Sequence, residues 1–145
     1  SWFMDLNLVL GYWSGEGKRT YHHTAPINPL YGLHEALVMV AEEGLENAWA
    51  RHRAMHDKLR AGLEAMGMKF VVEESARLPQ LNSVYIPESV DDAAARTRLI
   101  NEFNLEIGAG LGALAGKIWR IGLMGYSARP ENVDYCLKAV KAVTS

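Results

Sequence analysis

Arg120 is the residue that most clearly indicates a chemical role. It lies in the apolar segment Ile118-Trp119-Arg120-Ile121-Gly122-Leu123. Alternation along a strand places Arg120 on one face with Ile118 and Gly122, and it places Trp119, Ile121 and Leu123 on the other. A guanidinium in such surroundings requires an anion, because an unpaired buried charge is very costly, and its planar fork suits bidentate binding of a carboxylate. The alternatives are an internal ion pair, for example with Glu106, or an edge strand with the guanidinium in solvent.

A second candidate is Tyr21-His22-His23-Thr24, which precedes Pro26 and Pro29. Neutral hydroxyls together with backbone N–H groups could hold a phosphate dianion. The adjacent histidines also raise the question of a metal. Consecutive side chains point apart in an extended chain, however, and no third ligand stands at a usual spacing, so no metal site is predicted.

The remaining polar and glycine-rich motifs carry weaker signals. His52 and His56 form an i, i+4 pair without the Glu of an H-E-x-x-H motif, and together with His34 they are predicted to lie on a helix surface. The run Gly108-Ala109-Gly110-Leu111-Gly112 lacks G-x-G-x-x-G spacing and leads towards a strand, which favours a flexible loop that allows close backbone approach. Cys136 is predicted to be half-buried and no nucleophile, since nothing nearby would lower its pKa.

The first part of the chain is expected to be loop-rich. Helical spacing predicts a short buried helix over residues 3–13, followed by a polar, glycine-rich loop at 14–19. Pro26 and Pro29 are expected to prevent regular helix until about residue 30. The apolar residues of the first helix are Phe3, Leu6, Leu10 and Trp13.

Helical periodicity then runs from residue 30 to residue 66, with a break expected near Gly44 and a C-cap at Gly67. The rest predicts the order β-β-α-β-β-α, an α+β arrangement with helices on one face of a small sheet. Strands are expected at 68–72, 81–87, 104–107 and 117–123. Helices are expected at 89–103, with Ala93, Thr97, Ile100 and Phe103 inward, and from Pro130, with Val133, Leu137, Val140 and Thr144 on one face.

Composition limits the class of protein. The 145 residues are 49% hydrophobic and 22% charged, with a net charge of −2. Scattered Lys and Arg argue against nucleic acid, no apolar run is long enough to span a membrane, and one cysteine excludes a disulfide framework. The chain opens Ser1-Trp2-Phe3-Met4 without an initiator Met or a targeting signal. We therefore expect processing or a missing upstream part, and a cytoplasmic location.

Several segments together resemble the C-terminal part of alanine–glyoxylate/serine–pyruvate aminotransferases, the class V branch of fold-type I pyridoxal-phosphate enzymes. They are Tyr21-His22-His23-Thr24-Ala25-Pro26, Gly44-Leu45-Glu46-Asn47-Ala48-Trp49 with Arg51-His52-Arg53, the segment from Gly116-Lys117 through Arg120-Ile121-Gly122 to Gly125, and Glu131-Asn132-Val133. The resemblance implies that residues 1–43 end a large cofactor-binding domain. It implies that residues 44–145 form a small C-terminal domain with a short, mainly antiparallel sheet covered by helices, reached by a long linking helix.

The resemblance also implies site residues. Tyr21 and Thr24 would bind the phosphate of pyridoxal 5′-phosphate across a homodimer interface, and Arg120 would bind the substrate α-carboxylate. The Schiff-base lysine is expected upstream, because none of the chain's lysines stands in the required context. This chain is therefore expected to be inactive alone. These lysines are Lys18, Lys58, Lys69, Lys117, Lys138 and Lys141.

For the complete enzyme the resemblance implies amino transfer from alanine or serine to glyoxylate or pyruvate, with ureidoglycine–glyoxylate transfer as an alternative on a similar scaffold. Cysteine desulfuration would need a nucleophilic cysteine on a mobile loop, and Cys136 on the final helix is badly placed for it. A non-catalytic dimerisation module is the alternative outside enzymes. No nucleic acid, membrane or metal partner is expected.

Overall fold

The computed structural model describes residues 1–13 and 20–145, so the loop predicted at 14–19, including Lys18, lies outside the described residues. The chain divides into two compact units, Ser1–Glu43 and Gly44–Ser145. Their assignment to the end of a large domain and to a small C-terminal domain stays a prediction. Within the described ranges, no helix combines the length and the apolar character that crossing a membrane would require.

The first unit contains a 3₁₀ turn, Trp2–Met4, and the helices α1 (Leu6–Trp13) and α2 (Ile27–Glu43). The prediction of a buried helix over 3–13 is wrong in both start and burial. The Asp5 carboxylate accepts a hydrogen bond from the backbone N–H of Asn7 at 3.0 Å, which fixes the helix start after residue 5. Neither α1 nor α2 has a buried residue, and Leu6 and Trp13 of α1 are 73% and 74% exposed.

The prolines do not delay α2 as far as residue 30. Pro29 lies in the first helical turn, where no intrahelical donor is required, and the Leu30 amide bonds to the Pro26 carbonyl at 3.0 Å. The break at Gly44 is confirmed: this residue has φ 80° between α2 and α3 (Leu45–Ala65). Gly67 also has φ 80°, and its amide donates to the Glu64 carbonyl at 2.9 Å, which confirms the predicted helix end.

The second unit contains a three-stranded antiparallel sheet in the order β1-β3-β2, which confirms the α+β class. The strands are β1 (Leu81–Tyr85), β2 (Gly108–Ala109) and β3 (Ile118–Gly122). The strand predicted at 68–72 is reduced to a single bridge between Phe70 and Val84. The strand predicted at 104–107 does not form, because Asn104 adopts a left-handed conformation (φ 47°) that ends the preceding helix, and pairing begins only at Gly108.

Helices α3, α4 (Asp92–Phe103) and α5 (Pro130–Thr144) supply the helical side of the core. The inward face predicted for α4 is wrong: Ala95 and Leu99 are buried, whereas Ala93, Thr97 and Ile100 are exposed and Phe103 is only half-buried. Asp91 caps the helix by accepting from the Ala94 amide at 2.7 Å. Ala95 and Leu99 pack in the core, and the Asp92 carboxylate, about one turn before Ala95, accepts a hydrogen bond from Trp119 at 2.9 Å.

The face predicted for α5 is correct in part. Val133 and Val140 are buried as expected, and Leu137 and Thr144 are half-buried. Pro130 begins the helix as predicted. The core also includes Cys136, Ala139 and Val143 of α5 together with Leu59, Leu63, Val84, Trp119, Ile121 and Leu123.

Candidate functional site

Arg120 lies in the middle of β3, opposite Ser83 of β1 and Gly108 of β2. Trp119 and Ile121, its neighbours in sequence, are buried at 0% and 4% exposure, as the predicted alternation requires. Arg120 itself is half-buried on the opposite face of the sheet. The helices therefore pack on one face of β3, and Arg120 lies on the other, where Ile118 is 3% exposed.

The Arg120 guanidinium is held from one side only. Its Nε donates to the Ala109 carbonyl at 2.7 Å. Among residues 1–13 and 20–145, no carboxylate forms an ion pair with it, so the predicted alternative of a pair with the exposed Glu106 is not formed there. The two terminal nitrogens, Nη1 and Nη2, have no partner within the described part of the chain. They form the edge of the fork that binds a carboxylate through two parallel hydrogen bonds.

Gly108 allows the guanidinium to lie against the backbone of β2. A Cβ atom at this position would come within 3.4 Å of the Arg120 Nε and Nη2 atoms. Gly110 shows a still closer approach, since a Cβ atom there would lie 2.0 Å from the Leu114 carbonyl oxygen. The close backbone approach predicted for this glycine-rich run is confirmed, but its first two residues form a strand rather than a flexible loop.

The buried face of β3 is tied to α4 through Trp119. The Trp119 Nε1 donates to Asp92 Oδ1 at 2.9 Å, and the Arg96 guanidinium binds the same carboxylate through Nε at 2.8 Å. The hydrogen bond from Arg96 is the largest cause that lowers the pKa of Asp92, and that from Trp119 lowers it further against the opposing effect of burial. Asp92 is therefore ionised at neutral pH and fixes the indole.

Tyr21 and Thr24 lie in the first unit, in an extended segment before α2. The Tyr21 hydroxyl and the Thr24 Oγ1 are hydrogen-bonded to each other, and both residues are exposed. The two hydroxyls that the sequence predicts for phosphate binding are thus adjacent and open to solvent. Each hydroxyl has one proton, so the pair donates to two oxygens of one anion when the bond between the two hydroxyls is exchanged for bonds to that anion.

The expectation that His22 and His23 point apart is wrong. Their Nδ1 atoms lie 2.7 Å from each other, and the His22 ring stacks on Trp2 with centroids 4.1 Å apart. The described residues contain no group of three His, Cys, Asp or Glu side chains arranged for a metal ion.

His52 and His56 are not the helix-surface residues that the sequence predicts. His56 is 2% exposed, with Nδ1 2.6 Å from Asn82 Oδ1. His52 is half-buried between the Ala48 carbonyl and the Gly125 amide. The signal that locates them is the apolar periodicity of the long helix, in which both positions coincide with the inward stripe.

Cys136 is more deeply buried than predicted, at 6% exposure. Burial raises the pKa of its thiol to about 11, so the thiolate required of a nucleophile is scarce at neutral pH. This agrees with the prediction that Cys136 is not a nucleophile.

The chain is a homologue of the C-terminal part of alanine–glyoxylate and ureidoglycine–glyoxylate aminotransferases, and its structural neighbours are class V aminotransferases. It is 43% identical over 141 residues to (S)-ureidoglycine–glyoxylate transaminase of Bacillus subtilis, covering 97% of this chain and 33% of that protein. It is 40% identical over 143 residues to alanine–glyoxylate aminotransferase of Callithrix jacchus, covering 97% and 34%. No protein-family model matches the chain.

Solved structures agree with this assignment. The crystal structure of alanine–glyoxylate aminotransferase from Nostoc sp. superposes with a TM-score of 0.91 at 49% identity, covering 100% of this chain and 38% of that one. The ureidoglycine–glyoxylate aminotransferase of Bacillus subtilis gives a TM-score of 0.89 at 42% identity, covering 99% and 36%. The chain spans about a third of the length of the curated relatives it matches.

Proposed function

We propose that the full-length protein containing this chain transfers an amino group from an amino acid to a 2-oxo acid. The observation that carries the proposal is Arg120, whose Nη1 and Nη2 atoms have no partner within the described residues. Both substrates of such a reaction bear a carboxylate beside the reacting carbon. One arginine fork can therefore orient either of them in turn.

Glyoxylate is the acceptor we propose first, with pyruvate second. Glyoxylate occurs in the names of relatives from both groups, the alanine–glyoxylate and the ureidoglycine–glyoxylate enzymes. Alanine or serine is the proposed donor. Ureidoglycine is the second candidate donor, because the Bacillus subtilis enzyme is 43% identical to this chain.

Pyridoxal phosphate is the proposed cofactor, as in the homologous aminotransferases. The residues of this chain fit its phosphate group, since the adjacent, exposed hydroxyls of Tyr21 and Thr24 supply two neutral donors. The cofactor, when bound, supplies the electron sink that amino transfer requires. We propose that Tyr21 and Thr24 serve the phosphate site of the partner subunit in a homodimer, and that the Schiff-base lysine comes from outside this chain.

The experiment that tests this function uses the purified full-length protein with a panel of donors and acceptors. Alanine, serine and ureidoglycine are each paired with glyoxylate and pyruvate, and the new amino acid is quantified by chromatography. We expect turnover with glyoxylate and an absorbance band from bound pyridoxal phosphate. Absence of both the absorbance and any transfer, in protein supplied with added cofactor, would refute the proposal.

A further inference from the structure

Two histidines of α3, one helical turn apart, bond to the surroundings of β3. His56 is hydrogen-bonded through Nδ1 to the Oδ1 of Asn82 at 2.6 Å. The Asn82 Nδ2 donates in turn to the Ile121 carbonyl at 3.4 Å. Ile121 is the residue directly after Arg120, so this buried relay connects α3 to the strand beside the arginine.

The second histidine contacts the chain where it leaves β3. His52 Nδ1 lies 2.6 Å from the Ala48 carbonyl, and its Nε2 lies 3.2 Å from the Gly125 amide nitrogen. Arg51 holds the same loop by donating from Nη1 to the Gly125 and Ala128 carbonyls at 2.8 and 3.1 Å. Neighbouring side chains of α3 thus bind both the amide and the carbonyl of one glycine.

The hydrogen-bond partners determine which ring nitrogen carries the proton. A carbonyl only accepts, so His52 Nδ1 is the donor to Ala48, and Nε2 has the lone pair that accepts from Gly125. The Asn82 amide nitrogen donates to two carbonyls, those of Pro79 and Ile121, which leaves its oxygen to accept from His56 Nδ1. Both histidines therefore carry a proton on Nδ1, but the bond that connects each to the rest of the fold uses a different nitrogen: Nε2 in His52 and Nδ1 in His56.

We propose that His52 and His56 are positioning residues for Arg120. His56 connects α3 to Ile121 of β3 through Asn82, and His52 connects α3 to Gly125 in the loop that follows β3. Apolar packing alone restrains movement along a strand weakly, whereas hydrogen bonds to particular atoms weaken steeply with distance and angle. The effect on substrate rests on the proposed function, in which Arg120 orients a carboxylate.

The opposite nitrogens permit a crossed test at His52 and His56. The amide oxygen of Gln can replace Nε2, and the amide nitrogen of Asn can replace Nδ1. At position 52, His52→Gln keeps the acceptor for Gly125 and His52→Asn loses it. At position 56, His56→Asn keeps the donor to Asn82 and His56→Gln loses it.

In the full-length enzyme we expect His52→Asn and His56→Gln to raise KM for both the amino acid and the 2-oxo acid by about tenfold or more, with a smaller change in kcat. His52→Gln and His56→Asn should stay near wild type. A structural role without positioning would instead lower the amount of folded enzyme and leave both KM values unchanged. Equal KM effects of Gln and Asn at position 52 would overturn the proposal.

Hydrogen–deuterium exchange gives a readout independent of activity. We expect the Gly125 amide to exchange faster in His52→Asn than in wild type and His52→Gln. Since His52 is only half-buried, its variants test the proposal even where substitution of buried His56 prevents folding. An unchanged exchange rate of the Gly125 amide in His52→Asn would refute the positioning role. A slowly exchanging Gly125 amide in wild-type protein that has no transaminase activity would refute only the proposed function.

Discussion

Replacement of Arg120 separates its possible roles, because each role predicts a different balance between stability and binding. In Arg120→Ala the lost contacts are the Nε bond to the Ala109 carbonyl at 2.7 Å and whatever anion the Nη atoms bind. Among the described residues, Arg120 forms no ion pair, so its removal leaves no buried carboxylate without a partner. The structural cost is therefore that of one hydrogen bond on a half-buried side chain, about 1 kcal/mol of unfolding free energy.

The expected loss in substrate binding is larger. Removal of one partner of a desolvated, bidentate charge pair costs about 2–5 kcal/mol. At about 1.4 kcal/mol for each factor of ten, this is a rise in KM of about 30-fold to about 4,000-fold. Because donor and acceptor share the carboxylate contact, the rise should appear for both substrates.

The assay combines steady-state kinetics with chemical unfolding of the same preparations. Arg120→Lys is the matched control: it keeps the charge but lacks the fork and the Nε donor, so we expect an intermediate KM. A stability loss of about 3–5 kcal/mol would instead indicate a broken buried ion pair. That result, with KM unchanged for both substrates, would refute the interpretation of Arg120 as the carboxylate-binding residue.

Four further outcomes are expected. Tyr21→Phe should lose pyridoxal phosphate faster on dialysis, measured by cofactor absorbance, and full retention would contradict a phosphate contact. Cys136, whose thiol pKa burial raises to about 11, should resist a thiol reagent at pH 8 until the protein is unfolded; rapid modification of native protein would show a reactive thiolate. Gly110→Ala should lower the unfolding free energy by about 3 kcal/mol in denaturant titration, since its Cβ would lie 2.0 Å from a backbone oxygen; an unaltered midpoint would contradict that close approach. The hydrogen bond from Arg96 lowers the pKa of Asp92 in the folded protein. The stabilisation from Asp92 is therefore complete above its unfolded pKa of about 3.9 and is lost as the pH falls through the lower folded pKa. Asp92→Asn should flatten this dependence of the unfolding free energy on acid pH.

Features that depend on local sequence were predictable. The break at Gly44 follows from a residue that adopts φ 80° without strain, and the end of α3 follows from Gly67 for the same reason. The alternation around Arg120 follows from the pleat of any strand. Each of these depends on a few consecutive residues, and the structure reproduces each of them.

Features that depend on partners distant in sequence were not predictable in this way. The inward stripe of α4 packs against core residues of other elements, and Asp92 of this helix bonds to Trp119, 27 residues away. His56 is buried because Asn82, on another element, satisfies its Nδ1 atom. A histidine with a polar partner is compatible with a core, but the sequence of the helix alone does not contain that partner.

The arrangement around β3 explains how an arginine can stand in this apolar segment without a carboxylate partner in the described residues. Polar contacts hold the strand itself: Trp119 bonds to Asp92 on the helical side, and Asn82 bonds to the Ile121 carbonyl. On the open side, the Ala109 carbonyl satisfies Nε. The unpaired Nη edge of the guanidinium is thereby left on the half-exposed face, accessible to the carboxylate that the proposed function assigns to it. Since the strand and Nε are already fixed, little conformational entropy remains to be lost on binding, which is the condition under which a single fork can orient two different carboxylates.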